Sequence, residues 1–426
     1  MTSSASSLPD WVLLDTGVSD DDDSFPADPS TEACSTNSRG DAIRVCFQLH
    51  APPRPSRLCL SWPAGKEACV RFSVVAAHRD AVLLQLMYPL ADSGLDFPVD
   101  MYDYFLYTAG AGGSSRSPSL VRIPSIDGDV DEFRAMTKAG RFRFKNQRLR
   151  RRDGLDIGVL RRGEDFAVAE LEIPTRPQEE PPELHVFRSG RRRWEVKHPQ
   201  IVHGDDVDMN SILFYWHGDK VFPMGSYLCW VDYCVGGMFL CKVLDEDDDD
   251  PVLQYLQLPA VLPGLGRDFH GRSVPSFYHT LAVDEERGTV KFVMVSDGDG
   301  NMIEIHFSRI PCSFIIKSWT LTMEDMNWNS EVTVSSQELL GPHGFKQLPP
   351  TGVYLPVAAM DDRRIVYFAC LVQRPGTEGF RDCDLALVAV DIVNKSLKSP
   401  PCIDDLGFVS LLATQIPKYF KMGGAS

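Results

Sequence analysis

The segment from Tyr227 to Pro259 restricts the possible fold more than any other part of the chain. It reads YLCWVDYCVGGMFLCKVLDEDDDDPVLQYLQLP, and two of its runs, Tyr227–Tyr233 and Met238–Leu244, are apolar at nearly every position. Continuous apolar runs of this kind are typical of strands that are covered on both faces of a sheet. The Gly236-Gly237 pair between them can supply the positive φ angles of a tight hairpin. The sequence therefore predicts a hairpin that lies between two other layers of the protein.

This hairpin extends into a predicted sheet of four consecutive antiparallel strands. DKVFP (219–223) precedes it, and VLQYLQLP (252–259) follows it and ends at a proline, which cannot donate to a sheet ladder. Comparable β-like runs recur along the chain with turn residues between them, whereas helical periodicity is hard to find. Examples of these runs are IRVCFQL (43–49), DAVLLQLMY (80–88), DFAVAELEIP (165–174) and RIVYFACLV (364–372). The pattern predicts an all-β protein.

The spacing of the strands predicts how the sheets are arranged. Units of roughly 40–65 residues with about four strands each are typical of a β-propeller, whose sheets stack face to face. The repeat is degenerate and predicts roughly five or six blades; the alternative is two β-sandwich domains. We expect residues 1–40 to form a mostly flexible, acidic and Ser-rich segment with a short docking strand at 11–15. Residues 41–415 would then form a single domain, and residues 416–426 a C-terminal tail.

Charge and composition narrow the class of partner and the compartment. Of the 426 residues, 43% are hydrophobic, and the formal net charge is −16. This charge disfavours non-specific binding to nucleic acid or to anionic lipid. No apolar run approaches the roughly 18 residues that cross a bilayer, and the N-terminus resembles neither a secretory nor a transit signal. We therefore expect a cytoplasmic or nuclear protein without membrane association, in which the eleven scattered cysteines are reduced core thiols.

Residue types with catalytic or metal-binding chemistry are present, but not at the spacing that such chemistry needs. The chain has no HExxH pair, no phosphate loop and no Gly-x-Ser-x-Gly elbow. Cys229, Cys234 and Cys241 lack the spacing of a zinc knuckle, and on a strand Cys229 and Cys234 would point to opposite faces. SDGDGN (296–301) lacks the glycine and glutamate of a calcium loop, which predicts a hairpin turn. We therefore predict no catalytic residue, no metal ligand and no cofactor.

One segment, RFRFKNQRLRRR (141–152), is strongly basic within this acidic chain. On a strand, its first alternate basic side chains would share one face. Three interpretations stay open: a strand edge whose charges pair with the protein's own acidic loops, a nuclear-import signal, or a surface for an acidic protein or RNA. The candidate interaction patch consists of Arg141, Arg143, Lys145, Arg148, Arg150, Arg151 and Arg152.

The segment DKVFPMGSYLCWVDYCVGGMFLCKVL, together with LQYLQLP, resembles the plant domain-of-unknown-function family numbered 1618, which is greatly expanded in grasses. The likeness touches most of the chain and is sharpest at residues 216–295. Lys242 stands where members often carry an acidic residue, so no role of that carboxylate transfers. The family has no agreed activity, but its members are similar to the propeller-like modules that follow F-box motifs, which implies a binding platform. The matching motif residues here are Trp230, Val231, Asp232, Gly236 and Gly237.

The resemblance and the missing catalytic motifs lead to one functional expectation. We expect a non-enzymatic platform that binds a protein partner through loops at one end of the blades. One alternative is a glycan-active or hydrolytic propeller, whose carboxylates would converge in the central channel. The other is RNA binding through residues 141–152, which the acidic net charge of the whole chain disfavours.

Overall fold

The computed structural model shows a protein built almost entirely of strands, with 59% strand and 6% helix. This composition confirms the predicted all-β class. The residues that the structure describes are 8–20, 28–61, 71–89, 100–110, 117–124, 156–174, 176–245, 251–262, 274–301, 313–340, 353–373, 383–398, 402–404 and 410–421.

The largest sheet, sheet 1, has nine strands in two halves. The first half contains strands from both ends of the described chain: β1 (Val12–Asp20), β2 (Asp28–Thr36), β3 (Ala42–Gln48), β4 (Ser56–Ser61) and β27 (Leu411–Thr414). The second half is an antiparallel meander of β5 (Arg71–His78), β6 (Ala81–Pro89), β7 (Asp100–Thr108) and β8 (Ser119–Ile123). The pairing that joins the halves is short, with Gly17 of β1 opposite Ser73 of β5.

Four smaller sheets of four or five strands follow in chain order. Sheet 2 consists of β9 (Ile157–Arg162), β10 (Asp165–Glu172), β11 (Glu183–Arg188) and β12 (Trp194–Lys197). Sheet 3 consists of β13 (Gln200–Val202), β14 (Lys220–Met224), β15 (Tyr227–Asp232), β16 (Gly237–Cys241) and β17 (Val252–Gln257). Sheet 4 consists of β18 (His279–Asp284), β19 (Thr289–Asp297), β20 (Phe314–Thr322) and β21 (Asn327–Ser335). Sheet 5 consists of β22 (Tyr354–Ala358), β23 (Ile365–Gln373), β24 (Cys383–Asp391), β25 (Ser396–Leu397) and β26 (Cys402–Asp404).

Helices are few and short. The described ones are α1 (Met209–Tyr215), α2 (Ser336–Leu340), α3 (Pro417–Lys421) and a single 3₁₀ turn at Pro275–Phe277. None of the helices in the described part of the chain has the length and apolarity that a membrane span requires.

The four smaller sheets are arranged as a propeller-like ring. Strands of successive sheets contact one another: β5 touches β9, β9 touches β14, and β18 touches β22. Between sheets 3 and 4, the Lys220 ammonium donates a hydrogen bond of 3.1 Å to the Leu281 carbonyl. The predicted propeller-like class is confirmed. The ring in the structure has four blades, fewer than the five or six predicted.

Strands near the two ends of the chain meet in sheet 1. β1 pairs antiparallel with β27, with Val12 opposite Thr414, and β27 also contacts β22 of sheet 5. The docking strand predicted at 11–15 is thus part of a longer strand, and β2 adds a second strand within residues 1–40. Beyond position 415, Ile416 is buried and α3 begins at Pro417. The N-terminal segment and the C-terminal tail therefore contribute to the sheet and its core.

Sheet 3 is covered on both faces, as its continuous apolar runs predict. Trp230 and Phe239 belong to an apolar cluster that also contains residues of sheet 2. Val231 and Leu240 belong to a different cluster, which contains residues of sheet 4. The four antiparallel strands β14–β15–β16–β17 occur in the predicted order, and β13 adds a parallel strand at the outer edge. Because both faces are buried, alternation of apolar and polar residues is missing from β15 and β16.

The hairpin between β15 and β16 is built around the Asp232 carboxylate. One carboxylate oxygen accepts backbone N–H groups of Cys234 at 2.8 Å and Val235 at 3.0 Å, and the other accepts that of His217 at 2.6 Å. Only Gly236 of the glycine pair has a positive φ, of 75°. Gly237 is required for a different reason, since a Cβ there would overlap the ring of Tyr255. The prediction that both glycines supply positive φ angles is therefore wrong for Gly237.

A buried histidine of sheet 4 packs against two aromatic rings. The His279 ring is parallel to those of Tyr233, at 5.0 Å between centroids, and Phe292, at 5.7 Å. Its Nδ1 lies 3.0 Å from the Pro275 carbonyl oxygen. Burial lowers the pKa of His279 from 6.5 to about 4, because a charged imidazole would lose its hydration there. The imidazole is therefore neutral in the folded protein at physiological pH.

We predict that Asp232→Ala lowers the free energy of unfolding by about 3–5 kcal/mol, because it leaves three backbone N–H groups without their buried acceptor. Urea unfolding followed by tryptophan fluorescence measures this loss. Asp299→Ala, at an exposed turn position, is the matched control and should change stability by no more than about 0.5 kcal/mol. Equal effects of the two substitutions would contradict the role assigned to Asp232.

The neutral His279 makes stability depend on pH. As pH falls from 6.5 towards 4, the unfolded chain takes up a proton at this position that the folded protein does not. The folded state therefore loses stability in this window, by about 3 kcal/mol in total, and keeps the full contribution above it. We expect His279→Gln to show a shallower decline in urea midpoint between pH 6.5 and 4.5 than the parent chain. The exposed-site control, His203→Gln, should keep the parent slope; the same slope for His279→Gln would refute the assignment.

Candidate functional site

The five motif residues that carry the family resemblance lie close together in the structure. They lie in the core and not on a surface that could contact a ligand. Trp230, Val231 and Asp232 are fully buried, and Gly236 and Gly237 complete the turn that Asp232 organises. The Trp230 indole N–H donates a 2.8 Å hydrogen bond to the Asp156 carbonyl, immediately before β9. This bond connects sheet 3 to sheet 2. The motif therefore shapes the packing of two sheets and does not present a surface to a ligand.

The cysteines of this region are buried thiols. Cys229, Cys234 and Cys241 are all free and buried. Cys229 and Cys234 belong to the same apolar cluster, so the prediction that they point to opposite faces is wrong. The physical reason is that β15 ends at Asp232, which places Cys234 in the turn, where strand alternation no longer applies. Burial raises the pKa of Cys229 well above 9, which keeps this thiol protonated.

Among the described residues, two clusters of side chains have a spacing that suits a metal ion. Asp219, Asp232 and Cys234 form the first. Both carboxylates in it already accept backbone N–H groups, with Asp219 bound to the amide of Tyr233 at 2.7 Å. This cluster is therefore explained by the geometry of the turn. Glu172, Glu183 and His185 on sheet 2 form the second cluster, in which the imidazole is buried.

Polar and charged side chains at the ends of β5, β9 and β18 form one hydrogen-bonded group that connects sheets 1, 2 and 4. His78 ends β5, and its Nε2 lies 2.7 Å from a carboxylate oxygen of Glu285 in the turn after β18. The backbone N–H of Arg161 donates to His78 Nδ1 at 2.8 Å. In the neutral ring the proton must then be on Nε2, where it is donated to Glu285. This hydrogen bond, more than any other contact, lowers the pKa of the Glu285 carboxyl.

A buried ion pair lies beside this hydrogen bond. The Arg161 guanidinium donates two hydrogen bonds, of 3.0 and 3.2 Å, to the two carboxylate oxygens of Asp80, and both side chains are buried. A further guanidinium nitrogen donates to the Glu164 carbonyl at 2.7 Å. Arg79 adds an exposed contact of 3.2 Å to Glu285. Both ring nitrogens of His78 are hydrogen-bonded, and the carboxylates of Asp80 and Glu285 are each bonded to an arginine. These bonds connect sheets 1, 2 and 4.

Sequence reasoning missed this charged group. His78 and Glu285 are separated by 207 residues, and no local motif connects them. In the sequence, Arg161 and Arg162 are basic residues near the 141–152 segment, and nothing local indicates their partners. The structure pairs Arg161 with Asp80 and Arg162 with Asp245, at 3.1 Å. The candidate patch itself, Arg141, Arg143, Lys145, Arg148, Arg150, Arg151 and Arg152, lies outside the described residues.

Exposed apolar side chains mark the outer edge of sheet 3. Val202 of β13 is 53% exposed, Val252 of β17 is 42% exposed, and Phe214 of α1 is 56% exposed. Gln200 lies opposite Val252 in the parallel pair, which places Val202 and Val252 on the same face. The exposed carboxylates Asp205 and Asp206 lie between β13 and α1. We call Val202, Asp205, Asp206, Phe214 and Val252 the rim surface.

Comparison with solved structures finds only distant likenesses. The chain is 7% identical to a GH32 beta-fructofuranosidase of Bombyx mori, with a TM-score of 0.31. The alignment covers 79% of this chain and 62% of the fructofuranosidase. It is 11% identical to a hypothetical selenium-binding protein from Sulfolobus tokodaii, with a TM-score of 0.35 and coverage of 92% and 73%. The WD40 domain of SCAP from fission yeast is 8% identical to the chain, with a TM-score of 0.31. That alignment covers 88% of this chain and 77% of the WD40 domain. At these TM-scores the likenesses carry no argument about activity.

The search of curated proteins found no match. One family model matches, over residues 230–367, and its description is "Protein of unknown function (DUF1618)". The matched residues begin at Trp230 in β15 and reach Tyr367 in β23, so they include the hairpin that Asp232 organises. The resemblance expected from the sequence is thus confirmed for this segment. This segment of the chain is therefore similar to the DUF1618 family.

Proposed function

We propose that the protein is a non-enzymatic platform that binds a protein partner, and that the rim surface is the contact. The observation that carries this proposal is the group of exposed apolar side chains at the outer edge of sheet 3, Val202, Phe214 and Val252. Exposed apolar groups rimmed by polar residues are typical of surfaces that another protein covers. In the part of the chain that the structure describes, β13 pairs only with β17, so its other edge is available for a further strand.

The charge around the rim surface indicates the chemistry of the partner. Asp205 and Asp206 are exposed beside the apolar residues, and the net charge of the chain is −16. A partner segment with apolar side chains between lysines or arginines would complement both features. Its encounter with the platform would be faster at low ionic strength than at high, because the attraction between exposed charges is screened by salt.

The charged group of His78, Asp80, Arg161 and Glu285 supports a structural role over a catalytic one. A glycan-active propeller would need carboxylates that are free to act as acid and base. Asp80 and Glu285 are instead bonded to Arg161, His78 and Arg79. RNA binding through residues 141–152 has no observation in its favour among the described residues. The platform is therefore the function that the geometry supports best.

We predict that the triple substitution Val202→Ser, Phe214→Ser and Val252→Ser abolishes partner binding without unfolding the protein. The three side chains are exposed, so each change should alter stability by no more than about 0.5 kcal/mol. The measurement is affinity purification of the tagged full chain, followed by titration of the recovered partner. The control is Val121→Ser with Val393→Ser, at two equally exposed apolar positions away from the rim surface. The control should bind the partner as the parent chain does.

Two outcomes would overturn this proposal. One is a partner that binds the triple variant as tightly as the parent and control chains. The other is the recovery of no reproducible partner, together with turnover of a glycan or another small substrate by the purified parent chain.

A further inference from the structure

The second metal-compatible cluster, on sheet 2, lies on one face of the β10–β11 ladder. Glu172 is directly opposite Glu183, and His185 is opposite Glu170. Side chains that are paired across an antiparallel ladder, or two residues apart along a strand, share a face. Glu172, Glu183 and His185 therefore project from the same side of sheet 2. Their ligand atoms all lie within 4.8 Å of one another.

The burial of the histidine needs an explanation. His185 is only 4% exposed, and neither of its ring nitrogens has a hydrogen-bond partner. Leaving a buried imidazole without such partners is unfavourable, because its nitrogens lose the hydrogen bonds that water would supply. The buried Nε2 of His279 also lacks a hydrogen-bond partner, but His185 lacks one at both ring nitrogens and lies beside two carboxylates. A buried imidazole without hydrogen-bond partners, placed beside two carboxylates, has the donor groups and the surroundings of a metal ligand.

The distances around Nε2 fit a shared ion better than direct hydrogen bonds. Nε2 of His185 lies 3.6 Å from Oε2 of Glu172 and 3.5 Å from Oε2 of Glu183. Hydrogen bonds between such groups are normally about 2.7–3.2 Å long. By contrast, two ligands each about 2.0–2.2 Å from a tetrahedral metal ion are separated by roughly 3.3–3.6 Å. The observed separations match the second case.

We propose that Glu172, Glu183 and His185 bind a divalent transition-metal ion of the zinc type. One imidazole nitrogen and two carboxylate oxygens form a donor set that suits Zn²⁺. Both glutamates are partly exposed, which gives the ion a route of entry and leaves a coordination position to water. The ion connects β10 to β11 where the loop between them begins and ends. This site is independent of the rim surface, because the two share no residue.

The test uses the full chain, treated with a chelator and dialysed, with Zn²⁺ as the probe in calorimetric titration and thermal unfolding. We expect the parent chain to bind one ion more than the Glu172→Gln and Glu183→Gln variants, and to gain thermal stability with Zn²⁺. The loss of one carboxylate ligand should weaken binding at this site by at least about tenfold. Because both glutamates are partly exposed, these variants keep the core intact even if His185→Gln does not fold.

The matched control is His203→Gln, an exposed histidine beside Asp205 and Asp206. It should bind as many ions as the parent chain does and gain the same thermal stability. If the parent, Glu172→Gln and Glu183→Gln chains bind equal numbers of ions with equal affinity, the proposal is wrong. It is equally wrong if the parent chain binds no Zn²⁺.

Discussion

Burial of both faces of a sheet is the constraint on which the rest of this structure depends. β15 and β16 supply side chains to two separate apolar clusters, one shared with sheet 2 and one with sheet 4. A sheet of this kind cannot expose either face to water without a large loss of hydrophobic stabilisation. Each such sheet therefore needs a neighbour on both sides, and a ring of stacked sheets supplies them. The pairing of β1 with β27 brings the strands near both chain ends into the same arrangement.

Polar groups enter this apolar ring where the backbone turns. Asp232 gathers three amides at the β15–β16 turn, and Arg161 and His78 join turns of different sheets through Asp80 and Glu285. Buried charges are tolerated only when they are paired and hydrogen-bonded. His185 lacks hydrogen-bond partners at both ring nitrogens, whereas His279 lacks one only at Nε2. The contrast separates side chains that hold the fold together from one that an additional ligand would satisfy.

The two functional proposals rest on different kinds of evidence. The rim surface is proposed from apolar exposure and charge at a sheet edge that pairs with no further strand among the described residues. Such exposure is typical of an interface with another protein. The metal site is proposed from distances among three ligand atoms and from the burial of one of them. Neither depends on the motif residues that carry the DUF1618 resemblance. Those residues, Trp230 and Asp232 above all, are explained by packing and by the turn.

The sequence by itself determined the all-β class, the buried hairpin of sheet 3 and the resemblance of its most distinctive segment to the DUF1618 family. These are local properties, because an unbroken apolar run between turn residues reports the burial of both strand faces directly. Only the tertiary structure decided that Gly237 is needed for contact with Tyr255, that Cys234 leaves the strand alternation, and that His78 meets Glu285. It alone also assembled the rim surface and the Glu172–Glu183–His185 cluster. The physical reason is that these contacts depend on strand register and on how sheets stack, and residues far apart in sequence carry no local pattern that encodes either.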